Sequence, residues 1–127
     1  MTRISSSVAL TMMITTLVGA TLNGTDAIEQ ASNIGRKALV AGDFSRAEQA
    51  FRQAVNDAEQ AGRPVALAVN MANLANVYQA QARYAEADPL YRRALGISED
   101  HAEAGALLMA SILNDLGRLE KKRGRLK

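Results

Sequence analysis

Three asparagines recur along the chain at intervals of 40 and 41 residues, and their side chains are the best candidates for chemistry. They are Asn33, Asn73 and Asn114, and the last stands next to Asp115. An asparagine amide carries two donor hydrogens and an acceptor oxygen, so a row of them can pair with the backbone of any extended peptide. The alternative is that these amides bond within their own scaffold or to water. Either role requires structural elements that repeat at the same interval.

Residue types exclude most catalytic and metal chemistry. The chain has no cysteine and a single histidine, His101. Thiolate catalysis, cysteine-ligated zinc and a histidine pair for a metal or a catalytic triad are therefore ruled out. His101 stands between Asp100 and Glu103, and a helix cap beside a loop histidine explains this group better than a metal site does. We expect no catalytic residue, no metal and no cofactor.

The elements that carry these side chains are expected to be helices. Alanine, the best helix former, fills 24 of the 127 positions, while aromatic residues make up only 4% of the chain. Apolar and small residues recur at helical spacing, and loop signals that contain glycine separate them. The pattern predicts an all-α protein with five helices, at residues 27–41, 44–60, 64–82, 84–97 and 101–123.

The first 20 residues have the three parts of a secretory signal. Arg3 precedes an apolar run over residues 8–18, and small residues follow that run. The run is about half of the roughly 20 residues that a lasting membrane anchor needs. We predict a signal peptide at residues 1–20, a short linker at 21–26 and an exported protein, either periplasmic or secreted. The alternative is an N-terminal extension of a cytoplasmic or N-terminally anchored protein.

Two stretches of the chain align with each other without a gap. Residues 31–55 lie over residues 71–95 at an offset of 40, with four identical pairs in 25 positions. The shared positions include a small residue on a first helix and an aromatic residue on a second. The small residue lets the two helices approach closely, and the aromatic ring fills the space between them. These counterparts are Gly35 and Ala75, and Phe51 and Tyr91.

The second stretch contains NLANVY at residues 73–78 and RYAEADPLYRRAL at 83–95, and a third copy begins at Leu113. These motifs resemble the tetratricopeptide repeat family, in the longer form known from kinesin light chains, of about 42 residues. The resemblance implies an α-solenoid of antiparallel helix pairs, with two full repeats and the first helix of a third. Pro89 is expected inside a helix, and the alternative is a break between two short helices. The implied domain covers residues 27–127, with repeats at 28–61, 68–101 and 110–127.

In this family the first helices of the pairs line a concave face that binds peptides or extended protein segments. The resemblance therefore implies an interaction module, not an enzyme. The candidate binding residues on that face are Asn33, Arg36, Asn73, Asn76, Gln79, Asn114 and Arg118. Ser32 and Ser111 are also expected off the packing face, where a known subset of the family carries lysines that grip a C-terminal carboxylate. Because Asp115 puts a negative charge where that subset needs a positive one, we expect no carboxylate clamp.

Two other functions stay open at this stage. The second helix of the third copy is absent from the sequence, which would leave Ile112, Leu116 and Leu119 uncovered, and self-association would bury them.

Residues 118–127 carry six basic side chains and one acidic, whereas residues 21–117 carry eight basic and twelve acidic. Such a tail could serve an adaptor at an anionic membrane or nucleic acid. Nucleic acid is the less favoured partner, because the sequence lacks a basic face interleaved with aromatics.

Overall fold

Five α-helices connected by tight reversals make up the described part of the protein. The computed structural model describes residues 27–125, and no β-strand occurs among them. No helix in this part of the chain is both long enough and apolar enough to cross a membrane. The prediction of an all-α helical solenoid is confirmed, whereas the predicted signal peptide and linker lie outside the described residues. The helices are α1 (27–40), α2 (Phe44–Gln60), α3 (Pro64–Ala80), α4 (Tyr84–Asp100) and α5 (Ala102–Arg125).

The first three reversals are the same turn, repeated every 20 residues. In each turn the middle N–H bonds to the carbonyl three residues back, and the last N–H bonds to the carbonyl five residues back, at 2.8 to 3.2 Å. This Schellman pattern requires a left-handed backbone at the middle residue. Gly42 and Gly62 adopt it with φ of 78° and 64°, and Ala82 adopts it at 59°. The turns occupy residues 41–43, 61–63 and 81–83.

Four of the five predicted helix ends are displaced in the structure, by one residue in α1, two in α3 and α5, and three in α4. The sequence places the end of α3 at residue 82, but the helix ends at Ala80, because Ala82 takes the left-handed turn conformation although alanine favours helix. It places the end of α4 at residue 97, but the helix continues to Asp100. Pro89 lies inside α4, as predicted, so there is no break between two short helices.

Small residues let aromatic rings into the core. Phe51 of α2 and Tyr91 of α4 are fully buried, and so are the alanines on either side of each ring along its helix. A Cβ built on Gly35 would lie 2.6 Å from Cε1 of Phe51, so this ring packs directly on the α1 backbone. The close approach predicted at Gly35 is confirmed. Burying each ring contributes about 1.5–3 kcal/mol from the hydrophobic effect.

Helix α3 lies at the centre of the structure. It packs against α2 and α4, its neighbours in the chain, and also against α5, which is two helices away. Because α3 and α5 each begin a helix pair, their contact places the first helices of successive pairs side by side. We call the surface formed by α1, α3 and α5 the first-helix face.

The apolar side of α5 is buried and not open. Ile112, Leu116 and Leu119 are at most 8% exposed and belong to the core cluster. The prediction that they form an uncovered end is wrong, because α5 turns this stripe toward α4, with which it makes an extensive contact. Leu113 and Leu107 are the large apolar residues of α5 that remain exposed, to 56% and 88%.

Candidate functional site

A cavity of about 250 Å³ opens in the first-helix face. Helix α1 contributes an apolar side chain to its lining, and α3 and α5 contribute the polar and charged ones. We call it the first-helix cavity. Its lining residues are Leu39, Asn76, Gln79, Ala80, Asp115, Arg118 and Lys122.

A buried tyrosine from a second helix holds the floor of this cavity. The hydroxyl of Tyr91 bonds to the side-chain oxygens of Asn76 and Gln79, the latter at 2.7 Å. A phenol has one hydrogen, so it donates fully to only one of the two amide oxygens at a time. Burial raises the pKa of Tyr91, the charge of Asp115 raises it further, and Arg118 partly opposes this. The phenol therefore stays protonated, and the floor is a neutral polar cluster.

Gln79 has one side-chain atom without a partner. The residue is only 6% exposed, and its Oε1 bonds with the Tyr91 hydroxyl. Its Nε2 is buried and has no hydrogen-bond partner in the described part of the chain. An unpaired buried donor costs about 1–3 kcal/mol, so a group of this kind in a folded protein calls for an explanation. A half-turn of the amide provides one, because Nε2 then donates to the Tyr91 oxygen while the phenol donates to Asn76.

Charged side chains of α5 form the other wall of the cavity. The Asp115 side chain is 14% exposed, and its carboxylate lies 3.7 Å from Nη1 of Arg118, whose side chain is 62% exposed. Burial raises the pKa of Asp115, and Arg118 partly offsets the effect. No hydrogen bond to this carboxylate occurs within residues 27–125, so its acceptor capacity is largely unused. Together with Lys122, the wall carries two positive charges and one negative charge.

The cavity brings together three of the seven predicted binding residues, Asn76, Gln79 and Arg118. The other four do not line it. Arg36 donates a hydrogen bond to Asn33, and both are exposed on α1. Asn73 is half-buried on α3, and Asn114 is exposed on α5. No hydrogen bond links Asn33, Asn73 and Asn114 within the described residues, so a binding role for them stays a prediction.

Ser32 does not lie on the first-helix face, and its predicted placement there is wrong. The residue is buried and donates a 2.6 Å hydrogen bond to Oδ1 of Asn70. Nδ2 of Asn70 in turn donates to the carbonyl of Ala66 at 2.9 Å, so both ends of this amide are engaged. A larger and mostly apolar cavity, of about 470 Å³, includes Asn70 in its lining. The lining of that cavity includes one charged side chain, that of Arg63, whereas the lining of the first-helix cavity includes three.

A second polar cluster ties α2, α3 and α4 together away from the cavity. The Tyr78 hydroxyl accepts from Arg52 at 2.8 Å and donates to Glu48 at 3.0 Å. The guanidinium of Arg83 lies 4.4 Å from the Tyr78 ring centre and pairs with Glu48 at 3.3 Å and Glu86 at 2.6 Å. Each charge here has an opposite charge beside it, and exposed pairs contribute about 0–1 kcal/mol each. The cluster therefore holds the three helices together.

His101 lies in the short connection between α4 and α5. Its carbonyl accepts the N–H groups of Ala104 and Gly105, which starts α5, and its side chain is exposed. Asp100 is the last residue of α4 and Glu103 belongs to the first turn of α5. Among residues 27–125, no group of three metal-ligating side chains is close enough to hold a metal ion.

Sequence reasoning missed the role of Tyr91, which it treated only as a core filler. The offset of 40 contains a signal for it. In the first copy the equivalent positions are Phe51, Arg36 and Leu39, so the ring has no hydroxyl and no amide faces it. In the second copy the hydroxyl and both amides appear together. This coordinated change from the first copy to the second indicates a polar cluster at this one place in the repeat.

Comparison with known proteins finds a family match that contains most of the second copy of the repeat. Residues 68–103 match the family model of the tetratricopeptide repeat, which covers most of α3, all of α4 and the start of α5. No curated protein matches the chain. The matched segment contains the cavity floor, namely Asn76, Gln79 and Tyr91. The match supports a tetratricopeptide repeat built from α3 and α4.

Proposed function

We propose that this chain is an exported interaction module of the tetratricopeptide type, which binds a peptide or protein segment on its first-helix face. The observation that carries the proposal is the first-helix cavity itself, whose wall carries the charged side chains of Asp115, Arg118 and Lys122. A binding module recognises its partner by hydrogen bonds and charge pairs that its own fold leaves unmet, and this cavity supplies both. In the proposed role the protein performs no catalysis.

The wall of the cavity favours a partner that is not strongly basic. Arg118 and Lys122 outnumber Asp115, and exposed side chains such as that of Arg118 steer the approach of a charged partner. Asn33 and Arg36 on α1 extend the polar surface beyond the cavity, so a longer segment has further contacts there. The partner we propose is an extended segment, neutral or acidic, that lies across α1, α3 and α5.

A matched pair of double variants tests the proposed face. Asn76→Ala with Arg118→Ala removes an amide and an arginine from the first-helix face, while Gln53→Ala with Arg93→Ala removes the same two side-chain types from exposed positions on second helices. Peptides selected from a random display library on the wild-type protein are then measured against both variants. We expect at least tenfold weaker binding to the first variant and unchanged binding to the second. A cooperative urea transition with the wild-type slope m would show that each variant remains folded, since Asn76→Ala also removes a bond to Tyr91 and lowers the midpoint.

Two results would overturn the binding role. One is a selection that yields no peptide with saturable binding to the wild-type protein. The other is a set of selected peptides that bind both double variants as tightly as the wild type, since such peptides would not use the first-helix face.

Export rests on Arg3, the apolar run at residues 8–18 and the small residues that follow. When the full chain is produced in a bacterial host, we expect the protein in the periplasmic or extracellular fraction, with its N-terminus after residue 20. An apolar-run variant with Leu10→Arg and Leu17→Arg should stay in the cytoplasm. Recovery of the wild-type chain in the cytoplasm with Met1 or Thr2 as its first residue would remove export from the proposal.

A second candidate function, self-association through α5, is favoured by a different set of residues from those the sequence indicated. Leu113 is 56% exposed, and a Cβ built on Gly117, one turn away, would meet nothing within 4 Å. Sedimentation should then show dimers that dissociate on dilution and are lost in Leu113→Lys but kept in Val40→Lys, which alters an exposed apolar residue of α1. A monomer at millimolar concentration would exclude this function.

A further inference from the structure

The larger and mostly apolar cavity, of about 470 Å³, lies at the start of α3. We call it the α3 cavity. Its size and apolar lining give it room for a leucine or phenylalanine side chain of a bound segment. The described residues that line it are Arg63, Pro64, Val65, Ala66, Val69 and Asn70.

The α3 cavity and the first-helix cavity lie along one stripe of α3. Val69 lines the first of these, while Asn76 and Ala80 line the second. Asn76 and Ala80 follow Val69 by seven and eleven residues, about two and three helical turns, so all three side chains leave the helix on the same side. Asn73 stands on this stripe between the two cavities, and its side chain makes no hydrogen bond within residues 27–125. Its amide is therefore available to the backbone of a bound segment.

The distance between the two cavities suits an extended segment. At about 1.5 Å per residue, Asn76 lies about 10 Å from Val69 and about 15 Å from Ala66 along the axis of α3. An extended chain advances about 3.3 Å per residue, so two of its side chains four positions apart are separated by about 13 Å and point to the same side. A spacing of two positions reaches only about 7 Å, and a spacing of three turns the side chains to opposite sides.

The charges of the first-helix cavity determine which side chain it takes. Arg118 and Lys122 outnumber Asp115 in its wall, so the wall has a net positive charge. Lys122 makes no ion pair in the described part of the chain, and Arg118 makes one, at 3.7 Å to Asp115. A guanidinium has five N–H donors and an ammonium three, so most of these donors are unused. A carboxylate between the two cations would bring the wall to zero net charge.

We propose that the partner segment is extended and carries an apolar residue and an acidic residue four positions apart, which occupy the α3 cavity and the first-helix cavity respectively. This inference rests on the proposed binding function of the first-helix face. The segment crosses that face obliquely, from the junction of α1, α3 and α5 to the start of α3, and Asn73 pairs with its backbone between the two side chains. A basic side chain in the first-helix cavity would be repelled by Arg118 and Lys122.

Synthetic peptides test the spacing and both side-chain types. The probes are blocked, fluorescently labelled undecapeptides of serine and threonine that carry leucine and glutamate four positions apart, in both orders along the chain. Matched peptides place the glutamate three positions from the leucine, replace it with glutamine, or replace the leucine with serine. Fluorescence anisotropy with the full chain gives each Kd. We expect the better of the two orders to bind about tenfold more tightly than each of its matched peptides, as for the loss of one buried apolar side chain or one charge-assisted hydrogen bond.

Two double variants each remove one half of the proposed recognition. Val65→Ser with Val69→Ser makes the α3 cavity polar, so the preference for leucine over serine should vanish while the preference for glutamate over glutamine remains. Arg118→Gln with Lys122→Gln removes the two cations, so the glutamate preference should vanish while the leucine preference remains. The preference that each variant keeps shows that the variant is folded.

Equal binding at spacings of three and four would overturn the proposal, because the two side chains would then not lie on one side of an extended segment. So would a glutamate preference that survives the loss of both cations, or a leucine preference that survives in the variant with two serines.

The same measurements separate this inference from the function on which it rests. If peptides selected from the library bind the first-helix face while none of the leucine and glutamate peptides binds, the face has its binding role and the proposed pair of side chains is wrong. If neither group of peptides binds at millimolar protein concentration, both are wrong.

Discussion

Gly35 and Gly117 each lie inside a first helix, yet the structure predicts opposite effects when each is changed to alanine. A Cβ on Gly35 would lie 2.6, 2.7 and 2.8 Å from three ring atoms of Phe51, which is fully buried. A Cβ on Gly117 would meet nothing within 4 Å. Both residues lie inside helices, so both substitutions gain the same helix propensity, about 0.5–1 kcal/mol.

The difference between the two variants measures the close approach of α1 and α2. Overpacking in a filled core costs about 1–3 kcal/mol. Gly35→Ala should therefore lower the free energy of unfolding by up to about 2.5 kcal/mol, the overpacking cost less the propensity gain. Gly117→Ala should raise it by about 0.5–1 kcal/mol, which corresponds to a few degrees in Tm for a domain of this size.

Urea unfolding followed by far-UV circular dichroism gives both values, provided that the slope m stays unchanged. Phe51→Leu in the Gly35→Ala background serves as a further control, because a smaller side chain at the contact should make the two changes less than additive. A Gly35→Ala protein that is as stable as Gly117→Ala would refute the reasoning, since the ring would then not rest on the α1 backbone.

Three other predictions follow from particular side chains. Ala82→Gly should raise the free energy of unfolding by about 1 kcal/mol, because alanine is disfavoured at a φ of 59°. Ala85→Gly, in the helix that follows, should lower the free energy of unfolding. Thermal unfolding in which both variants change stability in the same direction would contradict this. Tyr91→Phe should cost about 1–3 kcal/mol by leaving the buried Gln79 amide without its partner, whereas Tyr84→Phe, whose hydroxyl has no hydrogen bond within the described residues, should be neutral in urea. Burial raises the pKa of Asp115, so its carboxyl group binds a proton more readily in the folded protein than in the unfolded chain. The folded protein therefore loses stability as the pH rises from the ordinary carboxyl pKa to the raised one. Asp115→Asn should therefore be the more stable protein at pH 7, with an advantage that shrinks toward the ordinary carboxyl pKa of about 3.9; an advantage that grows on acidification would contradict this.

The sequence predicted the helices well because the residues that mark the turns between them are local signals. Glycine at positions 42 and 62 marks two of the turns, and the repeat offset supplies the third. The end of α3 was misplaced because Ala82 carries no glycine signal, and the backbone bonds of the turn impose the left-handed conformation on it. The end of α4 was placed too early, because nothing local in the sequence shows that the helix continues past residue 97 to Asp100.

The candidate site was harder to predict, because helical spacing gives the face of a side chain but not its depth. Asn76, Gln79 and Arg118 were expected on the first-helix face, and the structure brings them to one cavity. Ser32 was expected on the same face but is buried, because its partner Asn70 comes from another helix. The burial of Ile112 was missed for a similar reason, since the direction in which α5 turns its apolar stripe depends on its packing against α4.

The identical turns at residues 41–43 and 81–83 make the chain modular in a specific sense. A block that runs from the middle of one turn to the middle of the other starts and ends in the same backbone conformation. The backbone hydrogen bonds at its two ends also follow the same pattern. Duplicating such a 40-residue block would add one helix pair and lengthen the first-helix face without changing the direction of the chain. Duplicating only half of it would invert every helix that follows, and first helices would then occupy the positions of second ones.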